Sequence, residues 1–170
     1  MVVDVFNKET TTSLAYLIQG MEYARKCGAK IMNLSLGMKL DTGIDDSVLY
    51  AECRRLYEAG IIVVCAAGNH SLSDNGNISV VPADYDSTIG VIAVDGDNRK
   101  LSLSNYGSRK DLSAPGGNIY STIQNGNYGM LSGTSMAAPS VTAAAAMLCS
   151  VDPTLTIDSI RDILLKNVTD

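Results

Sequence analysis

Residues 61–67 read Ile-Ile-Val-Val-Cys-Ala-Ala, an unbroken apolar run closed by Gly60 before it and Gly68 after it. The run is strand-length and shows no alternation with polar residues, so it has no face to offer water and must be covered on both sides. Val91-Ile92-Ala93-Val94 is a second run of this kind. The cover is visible in the flanking sequence. After Ser13, Leu14, Leu17, Ile18, Met21 and Ala24 form a helical stripe that ends near Gly28, and Val48, Leu49, Cys53 and Leu56 form another that stops at Gly60. Residues 2–6 and 31–36 read as further strands. A β-α-β-α-β order implies right-handed crossovers onto a parallel sheet with helices on both faces. The 170 residues suffice for one domain, residues 1–170.

The second half of the chain has a different texture. Short segments at 101–104 and 111–114, then 120–124 and 128–131 about an Asn125-Gly126 turn, predict a hairpin or loop-rich face. Residues 136–149 are almost wholly Ala, Val, Met and Leu, which predicts a helix buried all round. A last amphipathic helix follows Pro153, capped by Thr156, with Ile157, Ile160 and Leu164 facing inward.

Composition removes several function classes. Thirteen Lys and Arg against eighteen Asp and Glu give a net charge of −5, and no basic cluster exceeds two residues, which argues against a nucleic-acid groove built on phosphate neutralisation. One Phe and no Trp leave little for base stacking. No apolar run approaches the ~20 residues of a membrane span, and no signal-peptide pattern follows Met1. Cys27, Cys53, Cys65 and Cys149 are scattered without a C-x-x-C pair, and His70 is the single histidine. No cofactor or metal site is therefore expected, and the cysteines read as free thiols of a reducing compartment. Asp95-Gly96-Asp97 lacks the glutamate of a calcium loop and reads as a turn. Asn33-Leu34-Ser35 and Asn77-Ile78-Ser79 fit the glycosylation triplet, the first of them within an apparently buried strand.

Chemistry concentrates at Gly133-Thr134-Ser135-Met136-Ala137-Ala138-Pro139, directly before the apolar helix. A serine there sits beside free backbone N–H groups and the positive end of the helix dipole, which suits a nucleophile whose reaction develops an oxyanion. Ala137 at the second position after Ser135 excludes the G-x-S-x-G elbow.

This segment resembles the G-T-S-M-A-x-P of the subtilisin-like serine proteases, the subtilases. Asn33-Leu34-Ser35-Leu36-Gly37, Ala66-Ala67-Gly68-Asn69, Asn105-Tyr106-Gly107, Asp111-Leu112-Ser113-Ala114-Pro115-Gly116 and Tyr128-Gly129-Met130-Leu131-Ser132 are similar to other subtilase segments, in order and at compatible spacing. The resemblance implies a three-layer α/β/α fold with a mainly parallel central sheet. It makes Ser135 the nucleophile and Asn69 the oxyanion-hole amide. It makes Ser35, Leu36 and Gly37 the strand that pairs with an extended polypeptide substrate. Ala66, Ala67 and Gly68 become the opposite wall of the pocket for the residue before the scissile bond.

The resemblance covers roughly the C-terminal two thirds of a subtilase catalytic domain. The aspartate segment and the H-G-T-H-type segment that complete the triad have no counterpart here, nor do the first strands and helices of the sheet. The expectation is thus half of an endopeptidase site, inactive or nearly so by itself, that associates with itself or with an N-terminal complementing segment. The alternative is a non-catalytic peptide-binding or regulatory module. His70, adjacent to Asn69, is expected to point away from Ser135. The family's weak cation site, near Ala83 and Tyr85, is put in doubt by Thr88-Ile89-Gly90, which reads as an insertion before the next strand.

Overall fold

The computed structural model describes residues 1–7, 11–40, 44–74 and 78–168. In chain order its elements are α1 (Leu14–Lys26), β1 (Ile31–Leu34), β2 (Met38–Leu40), α2 (Ser47–Glu58), β3 (Ile62–Ala66), β4 (Ser79–Val81), β5 (Ile89–Val94), β6 (Leu112–Pro115), β7 (Ile119–Thr122), β8 (Tyr128–Leu131), α3 (Thr134–Val151) and α4 (Ile157–Lys166).

The apolar run becomes β3, and all five of its residues are buried. It lies inside a parallel sheet of order β1-β3-β5-β6. Because successive strand side chains point to opposite faces, an all-apolar strand needs two cores. Val63 and Cys65 pack with Leu17 and Met21 of α1 and with Cys53 and Leu56 of α2. Ile62, Val64 and Ala66 pack with Ala137, Val141 and Ala145 of α3 and Ile160 of α4. The layers are thus helix, sheet and helix, with a mainly parallel sheet at the centre.

Helix ends follow their local sequence. Ser13 caps α1 by accepting from the Tyr16 N–H at 3.2 Å, and Thr156 caps α4 by accepting from Ser159 at 3.2 Å. Arg55 of α2 ties the two helices of the first layer together, bonding Glu22 of α1 and Glu52 of its own helix.

Several expectations need correction. Residues 2–6 form no ladder; the segment runs along α1, where Val5 closes on Gly20 and Thr12 Oγ1 donates to the Val5 carbonyl at 2.5 Å. An apolar stretch becomes a strand only beside another strand, and this one packs on a helix. The apolar helix is α3, but only one face is buried: Ala137, Ala138, Val141 and Ala145 meet the sheet, whereas Met147 and Val151 are 64% and 86% exposed. Uniform hydropathy cannot say which side faces the core. By length and composition alone α3 is also long and apolar enough to cross a membrane, although no run of that length stands out in the sequence.

Asp111 to Ala114 supplies the fourth parallel strand, β6, rather than part of a separate loop face. Residues 101–104 are turn, not strand. The expected hairpin forms as β7 and β8. The β2–β4 ribbon, three residues on each side, was not foreseen.

Candidate active site

Gly133 precedes α3 and Ser135 is its second residue. Met136 and Ala137 N–H groups fold back to the Gly133 carbonyl at 3.0 and 3.3 Å, whereas the Ser135 N–H has no partner among the described residues. Helices leave such donors at their first turn, and they face whatever anion approaches. The Ser135 hydroxyl is half-buried and donates to the Ser35 carbonyl at 3.0 Å. In return Ser35 Oγ donates to the Ser135 carbonyl at 2.8 Å.

Asn69 follows the glycine-ended run after β3. Its Oδ1 accepts from the Thr134 N–H at 2.9 Å and from Thr134 Oγ1 at 3.0 Å. A backbone N–H can only donate, so the atom facing Thr134 is the oxygen and the amide nitrogen must look the other way. Nδ2 makes no hydrogen bond among the described residues, and a Cβ on Gly133 would come within 3.1 Å of it. Thr134 is fully buried, and its hydroxyl also accepts from the Gly68 N–H at 3.0 Å. Asn69 Nδ2, next to Gly133, and the Ser135 N–H are thus both donors without a partner among the described residues, of the kind that can stabilise an oxyanion.

The Asn69 loop has a second anchor. Asn105, 2% exposed, donates to the Ala67 carbonyl at 2.9 Å and accepts from the N–H groups of His70 and Leu72 at 3.0 and 2.9 Å. Neither Thr134 nor Asn105 was singled out by the sequence reading, although both lie inside quoted motifs. The signal available was a polar residue embedded among small ones.

Residues 35–37 and 66–68 leave the ends of the paired strands β1 and β3, whose register closes on Leu34 opposite Cys65, and a Cβ on Gly37 would lie 3.6 Å from the Ala66 carbonyl oxygen. Ser35 is held from behind: Asn33 Nδ2 donates to its Oγ at 2.9 Å, and Thr142 Oγ1 of α3 donates to Asn33 Oδ1 at 3.0 Å. Asn33, expected inside a buried strand, is exposed because β1 is the sheet's edge. Asn77, of the second triplet, lies outside the described residues.

His70 is exposed, and the structure does not join it to Ser135, whose hydroxyl is engaged by Ser35. The neighbourhood of Ala83 and Tyr85 does not suit a metal ion. The Asp84 carboxylate there is already paired with the buried Lys110 ammonium and lies 3.8 Å from the Arg109 guanidinium. The Tyr85 hydroxyl donates to Asp46 at 2.7 Å; burial first, and that bond second, push its pKa well up and keep the phenol neutral. Thr88-Ile89-Gly90 does not all precede the next strand, since β5 begins at Ile89, and Thr88 Oγ1 donates to the Pro82 carbonyl at 2.6 Å.

Fold and site together describe an α/β protein with a serine at a helix head, near an asparagine amide held by Thr134. The peptidase S8 model, the subtilase family, matches residues 1–170. The chain is 36% identical to subtilisin DY of Bacillus licheniformis over 98% of its own length and 60% of that protein's. It is 37% identical to subtilisin E of Bacillus subtilis (strain 168) over 98% and 43%. Among solved structures it matches a cold-adapted subtilisin-like serine proteinase with a TM-score of 0.86 at 28% identity, over 98% of this chain and 59% of that one. It matches the prenylagaramide maturation protease PagA at 0.84 and 29%, over 97% and 61%. The chain belongs to the subtilase family of serine peptidases, which are hydrolases, and spans between 43% and 61% of these four relatives.

Proposed function

We propose that the chain forms the nucleophile and oxyanion half of a subtilisin-like serine endopeptidase site. Ser135 attacks the scissile carbonyl of a polypeptide, and the Asn69 amide and the Ser135 N–H take the resulting oxyanion. Ser35–Gly37 and Ala66–Gly68 grip the extended substrate between them. The proton acceptor and its orienting carboxylate come from residues outside these 170. The observation that carries this reading is the Asn69 side chain, turned by Thr134 so that its Nδ2, without a partner among the described residues, stands next to Gly133.

The bond from Ser135 Oγ to the Ser35 carbonyl favours a second reading, a module that holds peptides without cutting them. A hydroxyl engaged by a carbonyl has no base to take its proton and is a poor nucleophile at neutral pH. A fluorophosphonate probe separates the two. On the chain alone little labelling is expected. Addition of a separately made subtilisin segment bearing the family's Asp and His is expected to bring labelling and hydrolysis of an unstructured protein, both lost in Ser135→Ala. Recovery is expected to be partial, because catalytic groups tolerate only about 0.5 Å of misplacement. A folded mixture without Ser135-dependent hydrolysis would leave the peptide-holding reading in place. Fast labelling of the chain alone, lost in both Ser135→Ala and His70→Ala, would make His70 the base.

A further inference from the structure

Near Ala83 and Tyr85, where the resemblance implies a weak cation site, the chain places a cation of its own. The Lys110 ammonium pairs with Asp84 and lies 4.0 Å from Asp74 Oδ2, and all three side chains are buried. Arg109 stands at the rim, 3.9 Å from Asp74 and 3.8 Å from Asp84. Two cationic side chains thus face two carboxylates, and the cluster balances its own charge. The lysine reaches it through a gap kept open by Gly90. A Cβ there would lie 2.4 Å from the Ala83 carbonyl oxygen and 3.4 Å from Lys110 Cδ.

Each carboxylate oxygen at this corner already has a partner. Asp84 Oδ1 takes the ammonium, and its Oδ2 accepts from the Val80 N–H at 2.8 Å and from Ser79 Oγ at 3.0 Å. Asp74 Oδ1 accepts from the Ser108 N–H at 3.0 Å, and its Oδ2 from the Arg109 N–H at 2.7 Å. Asp111 gives Oδ2 to the Gly90 N–H at 2.8 Å and Oδ1 to Arg161. Calcium collects about six to eight oxygen ligands, so it would have to strip these bonds. It would also leave positive charge buried without a partner, which is costly.

The cluster ties together the two segments that flank the Asn69 loop. Asp84 holds β4 through Val80, and Arg109 Nη2 donates to the Ile78 carbonyl at 2.7 Å. The Asp74 N–H donates to the Tyr106 carbonyl at 3.0 Å, next to the Asn105 that anchors the loop.

We infer that Lys110 is a tethered cation that does at this corner the work of a bound metal ion. The corner takes up no metal, and the place its side chain fills is selective for a primary alkylammonium group. A dissolved ion stays bound only while its concentration exceeds its dissociation constant, whereas a side chain is always present. The shape of the corner is thus independent of the metal content of the solution.

The test has two arms. In the first, calcium is titrated into the isotope-labelled native chain, and the side-chain carboxylate signals of Asp74 and Asp84 are expected to stay in place. In the second, Lys110→Ala is expected to lower the urea midpoint. Propylammonium, which returns the carbon chain and the charge that alanine lacks, is expected to recover part of the loss, and propanol is not. Should Lys110→Ala fail to fold even with the amine, the calcium arm decides on the native chain alone. Carboxylate signals that move with calcium overturn the inference. So does a midpoint that the substitution leaves unchanged, or a folded Lys110→Ala chain on which propanol acts as well as propylammonium.

Discussion

The loop that carries Asn69 and the strand end that carries Ser35 flank the same serine, yet they are held by different means. On the Asn69 side the anchors are buried and mutually satisfied: Thr134 on the amide oxygen, Asn105 on three backbone groups, and the Asp84–Lys110 pair under β4. On the Ser35 side β1 is a sheet edge, and its side-chain bonds run through Asn33 at the surface. A hollow of about 660 Å³ opens there between the N-terminal segment, α1 and β1, lined by Val3, Phe6 and Met32 and reaching Ser35. Buried polar networks rigidify only when complete. One flank is therefore fixed by buried bonds, whereas the other rests on bonds at the surface.

The contrast can be broken most forcefully at Lys110. Its side chain is 2% exposed, beside Asp84 and 4.0 Å from Asp74. Lys110→Met leaves buried carboxylates without their ammonium and is expected to cost about 3–5 kcal/mol, read from the urea midpoint. Asn33→Ala, on the open flank, is expected to cost no more than about 1 kcal/mol. Equal losses would erase the distinction between the flanks.

Next in size is Asn69→Ala in a completed site, where a drop in kcat of about 10²–10³-fold is expected. That is the cost of removing such a donor in a subtilisin. Thr134→Val sharpens the point, because it deletes the hydroxyl bonds to Asn69 and from the Gly68 N–H but keeps the backbone bond to Asn69. About a tenfold loss in kcat is expected, with recovery in Thr134→Ser.

Thiol chemistry marks the same boundary at smaller scale. Burial, with Glu52 adding to it, pushes the Cys53 thiol up to about 12, and burial raises Cys65 well above the ordinary range. Only the thiolate reacts. A disulfide reagent at pH 8 is expected to take exposed Cys27 at once and to reach Cys53 and Cys65 only on unfolding.

The smallest effect concerns acid. Glu22 is held well below the usual carboxylate range, first by Arg25 and then by Arg55. A depressed carboxyl favours the folded state above the unfolded value of about 4.3 and loses that contribution as pH falls towards the folded one. The gap in urea midpoint between the native chain and Glu22→Gln is expected to be constant above pH 5 and to shrink below pH 4.

The legibility of all this in the sequence was uneven for physical reasons. Residues 61–67 announced a doubly covered strand because a fully apolar run has one stable environment. Ser13 and Thr156 announced caps because their chemistry is local. The apolar stretch in α3 hid its own orientation, since alanine and methionine carry no sign of which side meets the sheet. Residues 2–6 looked like a strand because pairing partners are not written in a segment. At the candidate site, motif order singles out Ser135 and Asn69. The orientation of the amide was not legible, since it depends on Thr134, 65 residues away in sequence.

The bond from Thr134 to Asn69 ties a helix head to a loop that leaves the sheet. The aim of the amide is then only as firm as the seating of α3 on β3 and β5, and a slip far too small to register as lost helix already spoils it. Turnover in a site completed on this chain becomes a gauge of that seating. On warming, it is expected to decline while circular dichroism is still flat, so that function fails ahead of the fold.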